Sequence, residues 1–289
     1  MANLKEVRTR IASVSSTQQI TSAMKMVSAA KFRRAQNAII GMRPYAAQLQ
    51  EIIADIDTGD GVQTDYHLVR PVQNVVLVVV TSNKGLCGAF NSNVLKLAQQ
   101  RIDYWRRQGV AIQVISIGKK ASELLSRQKD LQIAVHDELL DAPTFDAVAS
   151  LADSLMDAFA GKTVDRVELI YNQFKNSLSQ ILSCEQFLPV EPRAVSGEGT
   201  KHNSDYIYEP SKEAILREMI PLTLRSTFYR VVLDSLAAEH GARMTAMQKA
   251  TDNATELLKD LKLSYNKARQ ASITNEIIEI VSGSEALKG

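Results

Sequence analysis

The chain has 289 residues, 45% of them hydrophobic, which is material for one large domain or two modest ones with a real core. Its formal net charge of +2 argues against a strongly basic nucleic-acid binder. The two cysteines, Cys87 and Cys184, have neither metal-ligand spacing nor the density of a disulfide framework, so a reducing compartment is expected. No apolar run is long enough to span a bilayer, and no signal-peptide or transit-peptide pattern precedes the helical patterning that begins at Leu4.

The first predicted element is a helix of about 58 residues, reaching ~85 Å. Leu4, Val7, Ile11 and Val14 step by three and four, as a coiled-coil seam does. The apolar pattern then slips and resumes at Ile20, Met24 and Val27, which predicts a local change of supercoil. Small residues dominate Ala23 to Ala38 and permit close helix approach. Pro44 is a candidate kink, and Gly59-Asp60-Gly61 ends the helix. Residues 1–50 hold eight Lys/Arg (Lys5, Arg8, Arg10, Lys25, Lys31, Arg33, Arg34, Arg43) against one acid, Glu6. Such a face is either simply solvated or steered toward an acidic partner.

The middle of the chain changes period. Val75 to Val80 is a continuous β-branched run, read as a buried strand. Asn91–Gln108 reads as an amphipathic helix carrying the single tryptophan, Trp105. Val110–Ile117 follows as a strand, Lys119–Arg127 as a helix and Leu131–Val135 as a short strand. Phe145–Ala160 is a helix, Val167–Asn172 a strand, and Ser179–Phe187 one further, antiparallel strand. Strands alternating with helices predict a mostly parallel open sheet with helices on its faces. Residues 74–188 thus form an inserted α/β domain of Rossmann-like type.

Residues 189–209 read as a linker, rich in Pro, Gly, Ser and charge at first and closing on Asp205-Tyr206-Ile207-Tyr208-Glu209. The last helix occupies 210–283, with Pro221 kinking or interrupting it early; from Leu222 to Ser282 it reaches ~90 Å. Neither terminal helix buries its stripe alone, so the expected fold class is α/β: a long antiparallel coiled coil of the terminal helices around the inserted domain. The C-terminal helix is the longer and should outrun its partner. There Ile273, Ile277, Ile278, Ile280 and Val281 are apolar around much of the circumference, which calls for burial by other chains.

Candidate chemistry is sparse. Gly85-Leu86-Cys87-Gly88 follows the first strand, where a doubly wound fold places a phosphate loop, yet it matches neither G-x-G-x-x-G nor G-x-x-x-x-G-K-[ST]. It reads first as a tight strand-to-helix turn, with dinucleotide binding second. Cys87 reads as a buried inert thiol before an activated one. His67, His136, His202 and His240 are scattered without triad or metal-ligand partners, and Asp137, Glu138 and Asp141 read as a solvated loop. No catalytic residues, cofactor or metal site are expected. Tyr206 and Tyr208, flanked by acids, are either a packed helix cap or a contact surface.

Five motifs in order carry a resemblance. They are I-A-S-V-x-x-T-Q-x-I-T-x-A-M-x-M-V at Ile11–Val27, G-L-C-G at Gly85–Gly88, Y-x-Y-E-P at Tyr206–Pro210, A-R-M-x-A-M-x-x-A-T-D-N at Ala242–Asn253 and Y-N-K-A-R-Q-A-S-I-T-x-E at Tyr265–Glu276. Across essentially the whole chain the sequence resembles the gamma subunits of bacterial F-type ATP synthase, the central rotor stalk. The resemblance implies a non-catalytic subunit that couples rotation of a membrane c-ring to ATP synthesis or hydrolysis at beta subunits. It implies that Arg269, Gln270, Thr274 and Glu276 sit in a sleeve of alpha and beta subunits. Arg243, Thr251, Asp252, Asn253, Met24 and Lys25 would face the moving ends of the beta subunits. Tyr206, Tyr208 and Glu209 would form the foot on the c-ring, with the epsilon subunit bound nearby.

The implied location is peripheral, on the cytoplasmic face of the bacterial plasma membrane, with membrane association only through the c-ring. The chain lacks the cysteine-bearing regulatory loop of photosynthetic relatives, so no thiol switch is expected, and without an import sequence a bacterial source is expected. Two rivals stand beside this reading. A free-standing coiled-coil adapter predicts a stable soluble homodimer. A nucleotide-dependent oxidoreductase predicts cofactor binding at Gly85–Gly88.

Overall fold

The computed structural model describes residues 4–56, 65–128, 130–176, 179–190, 209 and 211–286. It divides into two compact units, one formed by residues 1–28 and 244–289, the other by 29–243.

The larger unit is built on a five-stranded sheet of order β3-β2-β1-β4-β5. The strands are β1 (Asn74–Val80), β2 (Ala111–Ile117), β3 (Gln132–Val135), β4 (Arg166–Phe174) and β5 (Gln180–Leu188). β1 lies between β2 and β4 and is parallel to both; β3 continues the parallel set, and β5 closes the other edge antiparallel to β4. β1 is buried on both faces, which explains why its sequence, NVVLVVV, is unbroken by polar residues after Asn74. Val75, Leu77 and Val79 pack with α2 (Phe90–Arg107) and α3 (Lys119–Leu125). Val76, Val78 and Val80 face α4 (Phe145–Ala160) and Leu216, Ile220, Leu224 and Phe228 of α5 (Lys212–Ala286). The domain is therefore doubly wound, with α5 covering one face in its early turns.

Local signals position these elements. Thr144 caps α4, its hydroxyl accepting from the Ala147 amide, and Ser211 does the same for Ala214 at the start of α5. Gly118 turns the chain from β2 into α3 at φ 109°, a backbone region that favours glycine, and an added Cβ would stand 2.5 Å from the Thr81 carbonyl oxygen. Arg70 donates to the carbonyls of Phe159 and Val164 and lies over the Phe159 ring, closing the bottom of the domain. Within the same unit Ala35 and Ile39 of α1 (Leu4–Ile56) pack on Leu233 and Ala237 of α5, and Phe32 meets Phe174 edge-on.

Three sequence expectations need correction. Of the two effects expected of Pro221, an interruption does not occur, since α5 runs through it as one helix; Ile220 and Leu224 flank the proline in the core, and this packing outweighs one missing backbone hydrogen bond. Asp137 is not merely a solvated loop residue. It begins a 3-10 turn (Asp137–Leu140), and its carboxylate accepts from the Gly118 amide. The third correction concerns the seam of α1.

In the smaller unit the heptad does not slip. Leu4, Val7, Ile11, Val14, Gln18, Thr21, Lys25 and Ser28 keep one register and are all half-buried or buried. Met24 is also half-buried, but Ile20 and Val27, taken as the resumed seam, are 59% and 58% exposed. On α5 the matching positions are Met247, Thr251, Ala254, Leu258, Leu261, Tyr265, Ala268 and Ser272. Counting apolar residues alone missed the continuation because the seam turns polar at Gln18 and Thr21, where partners across the pair satisfy the side chains.

Candidate functional site

Two polar contacts fix the pairing in the smaller unit. Gln18 Nε2 donates to Thr255 Oγ1 at 2.7 Å, and the hydroxyls of Thr21 and Thr251 lie 2.9 Å apart. Position 18 opposes 255 and 21 opposes 251, so the two helices run antiparallel. Each threonine hydroxyl has one proton to share between its cross-helix neighbour and its own helix, where Thr251 is 2.8 Å from the Met247 carbonyl. Continuing this register brings Leu4 opposite the last half-buried positions of α5. Ser272 is the final one; from Ile273 to Glu285 every residue is exposed. Ile273, Ile277, Ile278, Ile280 and Val281 are between 48% and 71% exposed, an apolar tip left uncovered among the described residues.

The structure sorts the other sequence-selected residues by surroundings. Arg269, Gln270 and Thr274 are exposed, as is Glu276, which accepts from Ser272 at 3.3 Å. Asp252 and Asn253 are exposed, with Asp252 accepting from Gln248. Met24 and Lys25 are half-buried. Glu209 is an exposed bend; Tyr206 and Tyr208 lie outside the described residues.

Arg243 is different. Its side chain is only 9% exposed, and its guanidinium is spent inside the larger unit. It pairs with Glu239 at 2.5 Å and donates to the carbonyls of Lys84, at 2.7 Å, and Gly85. It thereby pins the loop that follows β1. That loop is also closed from within: the Ser82 amide donates to the Asn91 carboxamide oxygen, and Asn91 Nδ2 lies 3.2 Å from the buried Cys87 sulfur. The turn reading of Gly85–Gly88 accords with this geometry. Leu86 at the loop's tip is 65% exposed with φ 63°, an uncommon conformation for a bulky residue. Nothing in its sequence neighbourhood beyond the flanking glycines signals this.

Burial pushes the Glu239 carboxyl above the usual range even against the pull of Arg243. Burial, then the charges of Arg243 and Lys31, lower the His240 imidazole to about 4, so it is neutral at physiological pH. On the other side of the domain Glu168 is 1% exposed. Burial is the largest influence on its carboxyl and acts upward, but hydrogen bonds from Arg101 and Arg166 outweigh it and leave the group below the usual range. Cys184 is exposed as a residue, but burial of its thiol against Glu168, and then the charge of that carboxylate, raise the thiol to about 11, which makes it a poor nucleophile.

A paired-helix protein with an inserted doubly wound domain and an unpartnered apolar tip is the class that fold and site define. The ATP synthase family model matches residues 3–287. The ATP synthase gamma chain of Flavobacterium johnsoniae is 54% identical over 291 residues, and that of a Geobacter strain 42% over 290, each covering 100% of both chains. A chain from the Tetrahymena thermophila mitochondrial ATP synthase central stalk and c-ring superposes with TM-score 0.60 at 28% identity, covering 80% of this chain and 99% of that one. A chain of the Euglena gracilis mitochondrial enzyme gives TM-score 0.68 at 21% identity over 98% and 94% of the two chains, a likeness of fold. The chain belongs to the ATP synthase gamma family. It is a subunit of ATP synthase, the central stalk of the rotor.

Proposed function

We propose that the chain is a non-catalytic shaft between the alpha and beta subunits of a catalytic head and a membrane c-ring, with the epsilon subunit bound at the α/β domain. The observation that carries this is the α5 tip, whose five exposed apolar residues extend past the last paired position and call for a sleeve supplied by other chains. Arg269, Gln270, Thr274 and Glu276 are exposed beside that tip, as sleeve contacts must be. Met24, Lys25, Thr251, Asp252 and Asn253 lie lower on the same helix pair and would meet the beta subunits as the stalk turns. Arg243, buried and bonded to the 84–85 carbonyls, would act there by holding that loop in place. Tyr206, Tyr208 and Glu209 would rest on the c-ring.

The complex would then sit peripherally on the cytoplasmic face of a bacterial plasma membrane; among the described residues no helix is long and apolar enough to cross one. Moving one charge through 100 mV supplies ~2.3 kcal/mol. A wound helix pair delivers several such steps as rotation with less twist than one helix would. Its faces differ, so three surrounding beta subunits meet different surfaces at any instant.

Co-expression with alpha and beta subunits tests the reading. Three alpha, three beta and one copy of this chain should co-elute, with rotation-coupled ATPase activity dependent on it. A chain that stays out of that complex and runs alone as a stable dimer would favour the adapter instead.

A further inference from the structure

A cleft of about 430 Å³ opens within the larger unit, in the size range of small-ligand sites. Four segments line it: Lys31 and Arg34 of α1, Asn83 and Lys84 of the loop after β1, the 140–144 segment, and α5 from Tyr229 to Arg243. It thus adjoins the carboxyl end of β1 in a doubly wound sheet, the edge at which such folds take ligands.

The charges in this cleft do not cancel. Glu239 and Arg243 neutralise each other on its wall. Asp141 is the remaining acid, and its carboxylate accepts from Asn83 Nδ2. Lys31, Arg34 and Lys84 are all exposed and make no direct ion pair among the described residues, although the charge of Lys31 is felt by Glu239. Three cations against one acid leave a formal charge of +2 converging on one concave surface.

Neutral donors accompany them. Arg243 can only donate, and it stands 3.5 Å from His240 Nδ1, a long contact that favours the tautomer with the imidazole proton on Nε2. The Thr144 hydroxyl accepts from the Ala147 amide as the cap of α4, so its own proton is free to donate. α4 also directs the positive end of a 16-residue helix toward this segment.

We propose that this cleft binds a doubly charged phosphate group, held by Lys31, Arg34 and Lys84 with Thr144 as a neutral donor. The group is either free inorganic phosphate or the terminal phosphate of a nucleotide. Bound there, it would bridge α1, the pinned loop and the start of α4. The inference does not depend on the stalk reading, because every lining residue belongs to one compact unit of this chain.

The test is phosphorus NMR of inorganic phosphate, and in a second arm of ADP, titrated with the full-length chain at constant chloride. Saturable line broadening is expected in at least one arm, and the tighter arm identifies the source. Lys31→Ala and Lys84→Ala should each weaken binding roughly tenfold, the loss of one charge-assisted contact. Both side chains are exposed and make no direct ion pair among the described residues, so circular dichroism melts at neutral pH should stay close to those of the parent chain. Asp141→Asn should tighten binding by removing the opposing charge, and Arg107→Ala on the exposed end of α2 should leave it unchanged. No saturable broadening in either arm would overturn the proposal. So would binding that the Lys31→Ala/Lys84→Ala double variant retains in full.

Discussion

The buried residues around Arg243 set the sharpest single-site expectations. Arg243→Ala would strand Glu239 in the core and free the Lys84 and Gly85 carbonyls; breaking such a buried pair costs ~3–5 kcal/mol. Urea denaturation of the chain measures it, and replacing Glu239 by Leu in the same variant should recover much of the loss. His240 gives a pH signature. Its folded pKa of about 4 lies below the unfolded value of 6.5, so its contribution is complete above pH 6.5 and fades as pH falls through 4. By linkage that contribution is roughly 3 kcal/mol, arising from burial first and then from the charges of Arg243 and Lys31. His240→Gln should remove about one proton from the slope of stability against pH in that window. Gly118→Ala should cost ~2–4 kcal/mol, because its Cβ meets backbone on the opposite strand end rather than a yielding side chain. Arg243 was legible as a residue worth naming, since it sits in a recognisable motif. Its partners were not, because the carbonyls it holds lie 158 and 159 positions earlier in sequence. Gly118 carried no signal beyond being a glycine after a strand.

At the scale of elements, period was a good guide wherever one solvent side and one buried side, or two buried sides, dictated residue type. β1, β2 and α4 could be placed to within a residue or so because β1 is buried along almost its whole length, β2 over its last four residues and α4 on one face. The seam of α1 failed for the converse reason: its middle positions are polar and only half-buried, so hydrophobicity there runs against geometry. Those polar positions can be weighed. A double-mutant cycle on Thr21→Val and Thr251→Val should return a coupling of about 0.5–1.5 kcal/mol, the worth of one shared hydrogen bond. A coupling near zero would mean that each hydroxyl serves only its own helix. Polar seam positions fix register at some cost in stability, so the double variant is also expected to melt no lower than either single one.

For the molecule as a whole, the tip of α5 separates what stabilises the fold from what the assembly needs. Replacing Ile273, Ile277, Ile278, Ile280 and Val281 by glutamine should change the unfolding free energy of the isolated chain by less than ~0.5 kcal/mol per site, since all five are exposed. The same variant should raise the solubility of the orphan chain markedly, read by sedimentation; unchanged aggregation would locate the sticky surface elsewhere. The expectation of other chains could be read from the sequence because a helix tip apolar around much of its circumference admits few explanations. The uninterrupted heptad register of the smaller unit has a mechanical consequence. A strict 3.5-residue repeat on straight helices of 3.6 residues per turn winds the pair into a left-handed rope. A rope of fixed hand is tightened by torque of one sense and slackened by the other. A motor built on it has unequal torsional springs for its two directions of drive, even before any contact with its bearing.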